Sequence, residues 1–185
     1  MKKKFASFIL SNIIFTVLWA QSGDSSYKIH GKRYLVSSGV NIPFSAFSYT
    51  HSFGIAADIT WSNHQFGMKD KKPVKSFGFI VNGGIDYYFG RERIISMYKY
   101  KYGNFTYIHT YAGVIYNPCK KGNIQLSMGP AAGIKDGIVE FWWGINLTAS
   151  YYLNEKVAIT PGIIFMKQSI TDPLMSATLR ASWIF

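Results

Sequence analysis

Apolar and polar residues alternate along most of the chain after residue 33, and this alternation predicts β-strands rather than helices. The last eleven residues show it most clearly, because successive side chains of a strand point to opposite faces. One face of this segment carries Met175, Ala177, Leu179, Ala181, Trp183 and Phe185. The other face carries Ser176, Thr178, Arg180 and Ser182, with Ile184 as the only large apolar exception. We therefore predict a final strand that runs to the terminus.

The same alternation recurs seven more times upstream of that segment, and strand four is the only one whose facing stays open. Strands of this length and number, within about 150 residues, predict an all-β fold, an eight-stranded antiparallel transmembrane β-barrel. Pro43 is expected to end the pairing of strand one, and the long connection 63–74 to be a hairpin extension or a sign of miscounted strands. The predicted strands are 34–42, 52–62, 76–89, 105–117, 123–134, 139–153, 156–166 and 175–185.

Periodicity alone does not exclude a soluble lipocalin-type barrel, since that fold has the same alternation with the apolar residues inside and the polar residues outside. The polar faces favour the membrane alternative, because they consist of Gly, Ser, Thr and Asn and contain few of the Lys and Glu residues that cover soluble proteins. Large aromatic residues also fall near strand ends, where interfacial girdles form. These are Trp61, Tyr87, Phe89, Tyr151 and Trp183.

The first twenty residues read as a secretory signal peptide. Three lysines precede an apolar run over 5–19, and Gln21 follows Ala20. Polar residues dilute the run, which makes a transmembrane anchor the weaker alternative. We expect a signal peptide over 1–20, a mobile N-terminal segment over 21–32 and a transmembrane β-barrel domain over 33–185.

The mature chain stays basic, with 17 Lys and Arg against 9 Asp and Glu once the three leader lysines are removed. These bases fall mostly between strands, which argues against a nucleic-acid-binding face. They are either solvated loop residues or contacts to anionic lipid headgroups and lipopolysaccharide phosphates. The single Cys119 cannot form an internal disulfide, and it has no Cys or His neighbour at metal-binding spacing.

Two further segments, Gly39-Val-Asn-Ile-Pro43 and Gly83-Gly-Ile-Asp-Tyr-Tyr-Phe-Gly90, accompany the aromatic closing strand. Together they resemble the small outer-membrane barrels of the OmpX and OmpA transmembrane type and the porin-like β-barrel domain. The resemblance implies a place in the bacterial outer membrane, contact with its lipid and lipopolysaccharide, and no cofactor. It also implies a C-terminal signal read by the barrel-assembly machinery, formed by Leu179, Ala181, Trp183 and Phe185. We expect a monomer.

Some barrels of this size are lipid A deacylases or palmitoyl transferases, so the histidines are the candidate catalytic residues. His51 lies in a predicted outer loop, His64 in a predicted inner connection and His109 in mid-strand. None has a Ser or acid at a spacing that specifies a nucleophile and its base. We therefore predict a non-enzymatic structural or surface-interaction barrel, whose outer loop 90–104 makes contacts, with a small pore or lipid-modifying barrel as the alternative.

Arg180 is the one base on the polar face of the final strand, and Asp58 is predicted to enter the lumen at a similar depth. An unpaired charge in a packed lumen would be costly, so we predict an Asp58–Arg180 pair within a lumen closed by polar packing. The alternative is a hydrated Arg180. Asp86 and Glu140 fall near the outer ends of their strands, where we expect them to neighbour each other or Lys135.

Overall fold

The computed structural model describes residues 33–67, 75–95, 97–168 and 173–185. The predicted signal peptide and the predicted mobile segment 21–32 lie outside the described residues. The barrel strands are β1 Tyr34–Phe44, β2 His51–Ser62, β3 Ser76–Gly90, β6 Phe105–Cys119, β7 Gly122–Lys135, β8 Ile138–Tyr152, β9 Val157–Lys167 and β10 Leu174–Ile184. A short helix, α1 Phe47–Thr50, precedes β2, and a separate hairpin is formed by β4 Glu92–Ile95 and β5 Tyr98–Lys101.

The eight long strands form a closed antiparallel barrel, which confirms the predicted fold class and strand count. Closure is made by β1 and β10, which pair from Leu35 with Ile184 to Phe44 with Met175. We call the end where β1 begins and β10 ends the inner mouth, and the opposite end the outer mouth. Phe185 lies at the inner mouth, and the resemblance to outer-membrane barrels implies that this end faces the periplasm.

Alternation along each strand places the polar side chains in the interior of the barrel and gives the barrel an apolar exterior. Asn82, Gln125 and Asn146 are buried inside, while Ile55, Leu126 and Leu147 are exposed outside. A continuous apolar exterior around a closed barrel is the surface that lipid contacts, and closure pairs the backbone within the sheet. Within the described ranges there is no helix long and apolar enough to span a membrane.

The facing of strand four, open in the sequence, is settled by its packing between β3 and β7. The side chains directed into the lumen are Phe105, Tyr107, His109 and Tyr111, and all four are buried. Aromatic rings therefore fill part of the interior.

The lumen is closed by three layers, so the prediction of closure by polar packing is correct only for the middle one. The outer apolar cluster lies below the outer mouth and comprises Phe47, Tyr88, Phe105, Tyr107, Tyr111, Ala131, Trp142, Ile164 and Met166. The inner apolar cluster lies at the inner mouth and comprises Leu35, Phe66, Ile80, Ile115, Tyr152, Ala158 and Ile184. Ile184, the apolar exception on the polar face of β10, therefore belongs to a closing layer.

The polar layer between these clusters is tied together by side-chain hydrogen bonds that cross several strands. Ser37 bonds Ser182 at 2.8 Å, Ser182 bonds Thr160 at 2.9 Å, and Thr160 donates to Ser150 at 3.1 Å. Gln125 extends the chain by donating to Ser150 at 3.4 Å.

The long inner connection contributes to closure, and the prediction of a hairpin extension is wrong for its described residues 63–67 and 75. These residues form no strand, and Phe66 is fully buried in the inner apolar cluster. The prediction that Pro43 ends pairing is also wrong on one side of β1. Pairing with β2 stops at Asn41, but pairing with β10 continues through Pro43 to Phe44, because proline removes one donor and leaves its carbonyl available.

Candidate functional sites in the lumen and at the outer mouth

Four charged or chargeable side chains meet in the polar layer of the lumen. Arg180 Nη1 contacts Asp58 Oδ2, and Arg180 Nη2 lies 3.4 Å from Asp86 Oδ1. His109 lies between the same two acids, with Nε2 3.2 Å from Asp58 Oδ1 and Nδ1 3.3 Å from Asp86 Oδ2. All four residues are at most 5% exposed. We call this group the lumen charge cluster.

Two glycines make room for the cluster. Arg180 lies on β10 and Asp58 on β2, with β1 between them. A Cβ atom at Gly39 of β1 would lie 2.9 Å from Arg180 Cγ, and one at Gly84 of β3 would collide with the Asp58 carboxylate. The absence of side chains at these positions therefore gives Arg180 space to reach across β1 and Asp58 space to reach toward His109.

The charges of the cluster balance when His109 carries both ring protons. Each ring nitrogen faces a carboxylate oxygen, and an ionised carboxylate only accepts hydrogen bonds. Asn82 Oδ1, a further acceptor, lies 3.0 Å from His109 Nε2. Asn41 Nδ2 donates to Asp86 Oδ1 at 2.6 Å. Two carboxylates are thus matched by one guanidinium and one imidazolium. Among the residues that the structure describes, no nucleophilic hydroxyl is hydrogen-bonded to His109.

Sequence reasoning anticipated Asp58 and Arg180 but missed Asp86 and His109. The prediction that Asp86 neighbours Glu140 or Lys135 is wrong, since Asp86 is fully buried and contacts Arg180 and Asn41. An acid on the polar face of β3 was the signal available, but its depth depends on the register between strands. Within the described ranges there is no group of three or more His, Cys, Asp or Glu that could hold a metal ion.

The other two candidate histidines occupy opposite ends of the barrel. His51 is not a loop residue: it begins β2 and is buried among aromatic rings, 4.7 Å from the Phe47 ring centroid, with Nδ1 2.8 Å from Thr50 Oγ1. His64 Nδ1 lies 3.5 Å from Ser76 Oγ at the inner mouth. Asn117 Nδ2 lies 3.4 Å from the same Nδ1 atom, so Ser76 and Asn117 compete for one nitrogen. Neither arrangement is that of a base oriented by an acid.

The outer mouth is covered by α1, which carries Phe47 into the outer apolar cluster. The β4–β5 hairpin is attached to this cover at its base. Arg91 Nη1 donates to Ser48 O at 2.9 Å, and the Arg93 guanidinium lies 4.8 Å from the Tyr49 ring centroid. Both contacts direct the base of the hairpin toward the cover of the lumen.

The two faces of the hairpin differ in chemistry, because directly paired residues of antiparallel strands share a face. Arg93 pairs with Tyr100, and Tyr98 lies on the same face of β5. The opposite face carries Lys99 and Lys101. Lys101 Nζ lies 4.0 Å from Glu92 Oε1. The hairpin thus has an aromatic face, which also carries Arg93, and a basic face, which also carries Ile94.

The residues of the predicted C-terminal signal line one outward face of β10. Leu179, Trp183 and Phe185 are exposed there, and Ala181 lies between them. The main chain of Phe185 exchanges hydrogen bonds with Tyr34 at 2.9 and 3.0 Å. Their recognition by the assembly machinery stays a prediction.

No protein-family model and no curated protein sequence matches the chain. Solved structures do. The crystal structure of Ail, the attachment invasion locus protein of Yersinia pestis, has a TM-score of 0.52 and 10% identity, over 83% of this chain and 98% of Ail. The structure of Ail in a phospholipid bilayer nanodisc has a TM-score of 0.54 and 11% identity, over 83% of this chain and 99% of Ail. The complex of Ail with the heparin analogue sucrose octasulfate has a TM-score of 0.52 and 9% identity, over 83% of this chain and 98% of Ail.

The chain has the fold of a small outer-membrane β-barrel. Identity near 10% limits this likeness to the fold, and the lumen and loops must be interpreted from this chain's own residues. The apolar exterior agrees with the fold, because transmembrane barrels of this kind belong to the bacterial outer membrane.

Proposed function

We propose that this outer-membrane barrel is a non-enzymatic surface-interaction protein whose outer mouth binds the phosphates of lipopolysaccharide. The observation that carries the proposal is the concentration of guanidinium and ammonium groups on the β4–β5 hairpin. Arg91, Arg93, Lys99 and Lys101 lie within eleven residues that contain one acid, Glu92. Clustered bases at a membrane surface attract anionic headgroups, and arginine forks bind phosphate with parallel hydrogen bonds.

The lumen supports this reading over the pore alternative. An eight-stranded barrel has an interior that side chains can fill, and here two apolar clusters and a charged layer occupy it. The histidines support it over the lipid-modifying alternative, because a lipid hydrolase needs a nucleophile and base open to the bilayer. His51 and His109 are both buried.

The proposal also agrees with one ligand bound by a protein of the same fold. Ail of Yersinia pestis has been crystallised with sucrose octasulfate, a polyanionic heparin analogue. For this chain the corresponding chemistry would be a phosphorylated saccharide at the hairpin, with lysines binding the phosphates and tyrosines contacting the sugar rings.

A binding measurement tests the proposal. The protein in nanodiscs of zwitterionic lipid is titrated with deacylated, water-soluble lipopolysaccharide oligosaccharide, before and after enzymatic removal of its phosphates. We expect salt-sensitive binding of the phosphorylated form, weakened about fivefold by each of Lys99→Gln and Lys101→Gln. The matched control is Lys156→Gln at the inner mouth, which should bind normally. Equal binding of the dephosphorylated form, or equal loss in the control, would overturn the proposal, and altered lipid A mass in producing cells would favour an enzyme.

A further inference from the structure

The tip of the β4–β5 hairpin has a composition opposite to that of its stem. Met97 is 96% exposed, Tyr98 is 80% exposed and Ile94 is 73% exposed. Large apolar side chains this exposed, grouped at the end of a projecting element, mark an interaction site. At these exposed fractions, none of the three side chains is packed against the described residues of the barrel.

The turn at the tip of the hairpin places Met97 in a strained backbone conformation. Met97 has φ of 68°, a left-handed conformation in which residues other than Gly, Asn and Asp are uncommon. A glycine or asparagine would form the turn more easily. The turn therefore accepts strain while presenting methionine, a flexible side chain that adapts to irregular apolar surroundings.

The stem behind the tip is basic. Arg91 and Arg93 precede the apolar residues on the first strand, and Lys99 and Lys101 follow them on the second. Glu92 is the single acid of the hairpin. Apolar residues flanked by bases have the chemistry of a segment that enters the interface of an anionic bilayer, with side chains among the acyl chains and bases at the phosphates.

The base of the hairpin indicates which bilayer it faces. Arg91 bonds Ser48, and Arg93 stacks on Tyr49, so the hairpin is fastened to the cover of the lumen. An attachment to the cover of the outer mouth favours a tip that projects from the barrel toward an opposing surface.

We propose that the β4–β5 hairpin docks on an opposing anionic lipid bilayer, with Met97, Tyr98 and Ile94 entering the interface and the stem bases binding headgroup phosphates. This rests on the proposed surface role of the hairpin. The two are separable, because a deacylated oligosaccharide offers phosphates and no acyl chains. Loss of vesicle binding with unchanged oligosaccharide binding identifies the tip as a lipid contact.

The test uses the full protein in zwitterionic nanodiscs, mixed with sedimentable vesicles of phosphatidylcholine alone or with phosphatidylglycerol. Binding is expected only with phosphatidylglycerol. The double variant Met97→Asn, Tyr98→Ser should bind at least about tenfold more weakly, since binding scales with the apolar area inserted. Asn is chosen because it tolerates the left-handed turn, so that misfolding of the hairpin does not explain a loss. The control is Ile138→Ser, which removes a similarly exposed apolar residue from the start of β8, at the outer mouth.

An environment-sensitive dye at position 97, in a Met97→Cys, Cys119→Ser background, locates the tip. A blue shift on addition of phosphatidylglycerol vesicles supports the proposal. A blue shift in the nanodisc before vesicles are added would place the tip in the barrel's own bilayer and overturn it. Vesicle binding without a shift of the dye emission would show electrostatic adsorption alone. Absence of binding to either kind of vesicle would leave a protein partner as the occupant of the tip. Either result would overturn the proposal.

Discussion

Replacement of Arg180 is the perturbation that best tests the lumen charge cluster. Arg180→Met removes the guanidinium that contacts Asp58 and lies 3.4 Å from Asp86, and it leaves two carboxylates with His109 as their only cation in the cluster. Because all of these groups are buried, water cannot replace the lost charge without entering the packed layer. Removal of one partner of a buried pair typically costs about 3 to 5 kcal/mol, and we expect a loss of that size.

The second mutation of the cycle is Asp58→Leu, which alone leaves Arg180 with Asp86. In the double variant, Asp86 and His109 remain as one carboxylate and one imidazolium, so the charges balance again. The loss in free energy of unfolding should therefore be smaller than the sum of the single losses by about 0.5 to 3 kcal/mol, the range for residues in one network.

Unfolding by urea in detergent micelles or lipid vesicles, followed by tryptophan fluorescence and by migration of unheated samples on a gel, measures these losses. The matched control is Lys167→Met, which removes an exposed base near the outer mouth and should change stability by no more than about 0.5 kcal/mol. If the double variant loses as much free energy of unfolding as the two single variants together, Asp58 and Arg180 act independently, and the proposed pair is refuted.

Three other outcomes are expected. Gly84→Ala should cost about 1 to 3 kcal/mol in urea unfolding, because its Cβ would collide with the Asp58 carboxylate. Gly83→Ala, whose Cβ would have 3.8 Å to its nearest neighbour, should be close to neutral, and equal costs would contradict the assigned crowding. Phe185→Ser should lower the amount assembled in the outer membrane far more than the stability of folded protein, and equal accumulation would count against a C-terminal signal. The purified barrel should give no stable conductance of porin size in a planar bilayer, since three layers fill its lumen, and such a conductance would show that they open.

The strands and their facing follow from the sequence, because they depend on a local property. In a strand the side chains alternate with a period of two, so a run such as Met175 to Phe185 reports its own two faces. The count of eight strands and the closed barrel follow from the same pattern repeated. The inward face of β6 could not be predicted, because both of its faces carry large apolar residues. One face carries Phe105, Tyr107 and Tyr111, and the other carries Ile108, Val114 and Tyr116.

The closing layers at the two mouths could be predicted only in part, because each contains one residue that lies outside the strands. Phe47 belongs to the short helix α1 and Phe66 to an irregular connection. Neither segment has a repeating pattern of apolar residues from which the direction of a side chain could be predicted. Ile184 looked like an exception to alternation in β10. The tertiary structure shows that it follows alternation and that the lumen itself is apolar at that depth.

The lumen charge cluster was decided by register, which only the closed barrel fixes. Asp58, Asp86, His109 and Arg180 come from β2, β3, β6 and β10, up to 122 positions apart in the sequence. Alternation determines that each points inward, but its depth in the lumen depends on strand tilt and on the stagger accumulated around the barrel. A shift of two residues keeps a side chain on the same face and moves it by about 7 Å along the strand, which is enough to break an ion pair. The sequence therefore determines which charges enter the lumen, and the pairing of neighbouring strands decides which of them meet.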